Sequence, residues 1–97
     1  MKKCYIAGKI TGLPEKEYRE NFSKAEIKLL GNGFIPVSPV QENEDPNKHW
    51  CQYMKDGIIK MMGCEAIYML KNHQQSRGAQ IELQLAIDLQ MDIYFEK

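Results

Sequence analysis

The alternation of two periodicities along this chain restricts its fold more than any other feature. Four short apolar runs read as strands: KCYIAG (strand residues Lys3 to Ala7), FIPVSP, CEAIYML and MDIYFEK. Three stretches with apolar residues at helical spacing lie between them. Tyr18, Phe22, Ala25 and Leu29 mark a helix from about Glu15 to Leu30, which Gly31 and Gly33 stop. Trp50, Tyr53, Met54, Ile58, Met61 and Met62 mark a second, which Gly57 weakens by ~1 kcal/mol relative to alanine. The third begins after Ser76, a natural N-cap, and carries Ala79, Ile81, Leu83, Leu85, Ala86 and Leu89 on a broad apolar arc. VQENEDPN reads as a polar surface loop, and so does KNHQQSRG.

The order βαβαβαβ implies an α/β fold. Parallel strands need crossover helices of one hand, which cover both sheet faces. The expectation is a three-layer, Rossmann-like or flavodoxin-like domain over residues 1–97, with about four parallel strands in the order 2-1-3-4. In such sheets ligands bind beyond the carboxyl ends of the strands, where the chain switches direction. The loops GKITG and NHQQSRG both emerge at that edge, from adjacent central strands.

Charge and cysteines narrow the function. Thirteen basic and thirteen acidic residues leave no net charge, so nothing favours a nucleic acid polymer or an anionic membrane. No apolar run approaches the ~20 residues of a membrane span, and MKKCYIAGKI breaks too soon for a signal peptide; a cytoplasmic protein is expected. Cys4 and Cys64 read as small core residues. His49 and Cys51 flank Trp50, but no second pair stands at ligand spacing, so neither metal nor other cofactor is expected. A domain this small buries a modest share of its surface, and a homodimer or larger homo-oligomer is expected.

One residue breaks the pattern. Glu82 projects from the apolar arc of the third helix, where an unpaired carboxylate would cost several kcal/mol. It follows the NHQQSRG loop by less than two turns, and its side chain points back toward its own helix N-terminus. It therefore belongs at the crevice rather than in the dry core. A carboxylate there can be a nucleophile, a base, a metal ligand or a structural acceptor. Attack on a sugar C1 carbon suits it well, because an ester intermediate splits a difficult displacement in two. Tyr5, on the first strand, can hold the carboxylate through its hydroxyl. Ser76, Arg77 and Gly78 at a helix N-terminus form a ready anion site.

YIAGKITG and SRGAQIELQLA together resemble the nucleoside 2-deoxyribosyltransferase-like family, which includes the 2′-deoxynucleoside 5′-phosphate N-hydrolases. The short bacterial and phage members look most similar. The resemblance implies a Rossmann-like fold with active sites near a subunit interface. It implies Glu82 as nucleophile at C1′, Tyr5 as the residue that orients it, and Ser76 on a 5′-phosphate. It further implies Gly8 and Gly78 as close-approach glycines, with Lys9 and Ile10 of the first loop beside the substrate. Three departures stand out. The aspartate that assists the leaving base falls one residue out of register: Gly57 occupies its place and Asp56 precedes it. Asp56 stands four residues before Lys60, at the spacing of a surface ion pair. Thr11 stands where an arginine would grip phosphate, leaving Lys9 or Arg77 as substitutes, and Glu65 stands where aspartate is common. The expected activity is cleavage or base exchange at the N-glycosidic bond of a 2′-deoxynucleoside or its 5′-monophosphate. The alternative is a nucleotide-binding protein that keeps the pocket without turnover.

Overall fold

The computed structural model describes residues 1–40, 45 and 47–97. Its elements run β1 (Lys3–Ala7), α1 (Glu15–Gly31), β2 (Ile35–Val37), α2 (Trp50–Met62), β3 (Ala66–Met69), α3 (Arg77–Asp88) and β4 (Asp92–Phe95). The strands form one parallel sheet in the order β2-β1-β3-β4. In register, Tyr5 stands beside Val37 on one side and Ile67 on the other.

The period-two alternation of β1 and β3 sorts the core into two layers. Cys4, Ile6, Ala66 and Tyr68 pack with Phe22, Ala25 and Leu29 of α1 on one face. Tyr5, Ala7, Ile67 and Met69 pack with Met61 of α2 and with Ala79 and Ala86 of α3 on the other. The central strands are buried on both faces, which is why they read as continuous apolar runs.

Several sequence expectations change in detail. Gly31 is the last residue of α1 rather than its stop; the chain turns at Asn32 and at Gly33, whose φ is +84°. KNHQQ is not an open loop but a short 3₁₀ helix, Lys71–Gln75. The apolar arc of α3 is narrower than expected: Ala79 and Ala86 are buried, but Ile81 and Leu89 are exposed. Met62 is likewise exposed while Met61 is fully buried, since one helical step of ~100° carries a side chain off the core face. The VQENEDPN segment lies largely outside the described residues. Among the described residues no helix is long and apolar enough to cross a membrane.

Candidate functional site

The carboxyl edge of the sheet is built by three short links. Leu70 N–H donates to Ala7 O at 2.8 Å, which extends the β1–β3 ladder into the loop. Lys9 N–H donates to Asn72 Oδ1 at 3.0 Å, tying the loop after β1 to the 3₁₀ turn after β3. Ser76 Oγ then accepts Ala79 N–H at 3.1 Å, the N-cap that starts α3. Gly8 lies in this seam because a Cβ there would sit 2.8 Å from Leu70 Cβ. Gly78 has the same constraint from α2, with Met54 Sδ only 2.7 Å from the place of a Cβ.

Glu82 points from α3 onto β1. It is 6% exposed, and Tyr5 Oη donates to its Oε2 at 2.7 Å. Burial pushes the Glu82 carboxyl up to about 7, and the Tyr5 hydrogen bond offsets part of that rise. Burial and the adjacent carboxylate together push the Tyr5 phenol far above its usual range, so it remains a donor. The buried acid is therefore partnered, but by a neutral phenol. Near neutral pH it stands between its two protonation states.

A pocket of about 200 Å³ opens over this pair. Tyr5 and Glu82 lie in its wall with Gly57, Gly78 and Ala79. Gly8, Ile10 and Thr11 enter from the loop after β1, Tyr18 from α1, and Trp50, Tyr53 and Met54 from the first turns of α2. A second, adjoining depression is lined by Lys9, Thr11, Trp50, Gln75, Ser76, Arg77 and Gly78. The sequence-derived candidates thus divide between two hollows. Tyr5, Gly8, Ile10, Asp56 and Glu82 line the first, Lys9 and Arg77 the second, and Ser76 and Gly78 both. Arg77 lies over the Trp50 ring, 4.8 Å from its centroid.

Asp56 has a different partner from the one its spacing suggests. Its ion pair is with Lys48, not Lys60, and Gln52 Nε2 donates to its Oδ1 at 2.9 Å. These two donors hold its carboxyl below the usual range. Gly57, the next residue, faces the acid: a Cβ there would lie 2.7 Å from Tyr5 Oη and 3.1 Å from Glu82 Oε2.

Residues 2–95 match a protein family described as a domain of unknown function, DUF4406. The chain belongs to the DUF4406 family. This DUF4406 chain also resembles the solved structure of a 2-deoxyribosyltransferase from the psychrotolerant bacterium Bacillus psychrosaccharolyticus. The TM-score is 0.70 at 20% identity, over 96% of this chain and 70% of that one, a likeness of fold. No curated protein matches the DUF4406 chain in sequence.

Several other contributors to the pocket were not legible as site residues. Lys48 precedes its helix in an aperiodic segment, so no local pattern marks it. Tyr18, Trp50 and Met54 follow helical periodicity, which points equally to core and pocket. Among the described residues, no group of three or more His, Cys, Asp or Glu is placed to hold a metal ion.

Proposed function

We propose that this protein cleaves, or exchanges the base at, the N-glycosidic bond of a 2′-deoxynucleoside or its 5′-monophosphate, with Glu82 as the nucleophile. One observation carries the reading: a carboxylate held by a phenol at 2.7 Å in the wall of a pocket. The shared fold with a 2-deoxyribosyltransferase and the YIAGKITG and SRGAQIE motifs support it.

Glu82 attacks C1′, the C1′–N bond breaks and its electron pair leaves with the base. The carboxylate first faces, then forms an ester with, a carbon that carries positive charge in the transition state. Tyr5 fixes the oxygen it touches and leaves the carboxylate aimed into the pocket. Burial makes the carboxylate more basic, hence a better nucleophile once ionised. Water opens the ester to give hydrolysis; a second base gives exchange. Trp50 and Tyr53 offer faces for a nucleobase, and Ser76 with Arg77 offers an anion site at the N-terminus of α3 for a 5′-phosphate.

A second reading, a nucleotide-binding protein without turnover, is favoured by Gly57: at the point where an acid would face both Glu82 and the leaving base, there is no side chain. Incubation with each deoxynucleoside and each 5′-monophosphate, followed by chromatography for free base, separates the two. Base release that Glu82→Ala abolishes supports the enzyme. Calorimetric binding without release supports the binder.

A further inference from the structure

The departing base needs a partner for its developing negative charge, and Asp56 is not a suitable one. Both of its oxygens are occupied, Oδ2 by Lys48 and Oδ1 by Gln52. Hydrogen bonds from those two groups favour its ionised form, which has no proton to give. Ser76 Oγ accepts from Ala79 N–H in the helix cap and carries no charge to set against an anion, the Tyr5 hydroxyl donates to Glu82, and the Tyr53 hydroxyl donates to Asp45 O at 3.0 Å.

Lys48 differs from all of these. It is the one cationic side chain among the described residues of the pocket that holds Glu82. Its side chain is only 17% exposed, unusual for a lysine. Its Nζ is held by Asp56 and lies 4.7 Å from the centroid of the Tyr53 ring. The turn of α2 that carries Asp56 also carries Gly57, which abuts the Tyr5–Glu82 pair. Lys48 thus lines the same pocket as the acid, with its ammonium held by Asp56.

We propose that Lys48 is a catalytic residue that donates a charge-assisted hydrogen bond to the departing nucleobase, with Asp56 and Tyr53 as its positioning residues. This rests on the glycosidic reading above. The electrons balance without proton transfer from the enzyme. The C1′–O bond to Glu82 forms as the C1′–N bond breaks, the base leaves as an anion paired with the ammonium, and it takes a proton from water on release. Water then opens the ester and Glu82 returns as a carboxylate. A fixed cation aimed at charge that develops only in the transition state accelerates the step; one that binds ground and transition states alike does not.

The test is the dependence on leaving group. Rates of base release are measured on two substrate pairs: 2′-deoxyguanosine with 7-methyl-2′-deoxyguanosine, and 2′-deoxyuridine with 5-nitro-2′-deoxyuridine. The second of each pair releases a base that needs little or no help with negative charge. Lys48→Met is expected to slow the ordinary substrate by roughly 100-fold and to change the ratio of rates within a pair by at least ~30-fold. Lys48→Arg, which keeps the charge, is expected to keep the wild-type ratio within ~3-fold. An equal loss on both members of a pair, in Lys48→Met protein that melts like wild type, overturns the role of Lys48 and leaves the glycosidic reading standing. If Lys48→Met fails to fold, a ratio altered in Lys48→Arg as much as in Asp56→Asn overturns the role. Wild-type protein that releases no base from any of the four, nor from their 5′-monophosphates, overturns both.

Discussion

Tyr5 Oη and Glu82 Oε2 lie 2.7 Å apart although 77 residues separate them in the chain. The contact joins the first strand to the last helix, and it is the polar contact of an otherwise apolar layer. Its strength is limited by the neutrality of the phenol: the hydrogen bond lowers the Glu82 pKa, but burial raises it more.

The first consequence is a pH profile. Ionised Glu82 is the reactive form, so kcat/KM rises with pH through about 7 and then levels. Tyr5→Phe removes the contact that favours the ionised form and leaves the burial that opposes it. The midpoint moves to higher pH and activity at pH 6.5 falls by roughly 10- to 100-fold, with partial recovery at pH 9. A midpoint that stays in place in Tyr5→Phe would show that another group sets the profile.

The second concerns stability, with the opposite sign from the usual paired carboxylate. The Glu82 pKa is about 7 folded, against 4.5 in its ordinary state. Below 4.5 both states are protonated and Glu82 has no effect on the balance. Between 4.5 and 7 the unfolded chain releases a proton that the folded chain keeps, so stability falls as pH rises. The full loss is about 3 kcal/mol. Glu82→Gln lifts it: the amide keeps an oxygen for Tyr5 and has no charge to bury. Chemical denaturation is expected to show the variant more stable than wild type by ~1–3 kcal/mol at pH 8 and equal to it at pH 4. Equal stability at both pH values would place the folded-state pKa near the ordinary value.

Gly57 gives a third prediction, because here helix propensity and packing oppose each other. Alanine gains ~1 kcal/mol over glycine in a helix interior. At Gly57 the added methyl meets Tyr5 Oη at 2.7 Å, and overpacking typically costs ~1–3 kcal/mol. To clear the methyl the Tyr5 ring must tilt, which draws its hydroxyl away from Glu82. Gly57→Ala should therefore be neutral to destabilising, and should raise the midpoint of the pH profile as Tyr5→Phe does. At Gly31, the last residue of α1, nothing lies within 4 Å of an added Cβ, and Gly31→Ala should stabilise by ~0.5–1 kcal/mol. Thermal melts of the two variants test the contrast; the same sign for both would remove the steric account of Gly57.

The legibility of this chain followed the range of the interactions involved. Strand and helix assignments rest on local period, and all seven elements and the strand order agree with it. Glu82 was visible because an acid in an apolar arc violates that period. Ser76 was visible because capping is decided within a few residues. The pairing of Asp56 was not. Its neighbour four residues on, Lys60, is a helical partner by spacing, but Lys48, two residues before α2, reaches it instead. Helical period also cannot separate a residue that faces the core from one that faces a hollow in the core. Met54 and Met61 share a pattern, yet one walls the pocket and the other is fully buried.

The fourth prediction uses Trp50, the single tryptophan of the chain, which lines both hollows and lies beneath Arg77. A nucleobase entering the first hollow stacks on or beside the indole, so binding is expected to quench or shift the intrinsic fluorescence. The second hollow is the more cationic of the two, with Lys9 and Arg77. A 5′-phosphate placed there gains a charge-assisted contact that a nucleoside lacks. Titration should then give tighter binding of the monophosphate than of the nucleoside, with the advantage shrinking as salt rises. Arg77→Met keeps an apolar cover on the indole and removes the charge. It is expected to weaken monophosphate binding by ~10-fold and nucleoside binding by less than ~2-fold. Equal weakening of both would mean that Arg77 acts through the orientation of Trp50. In that case the anion site at the start of α3 would have to rest on Ser76 and the backbone amides without it.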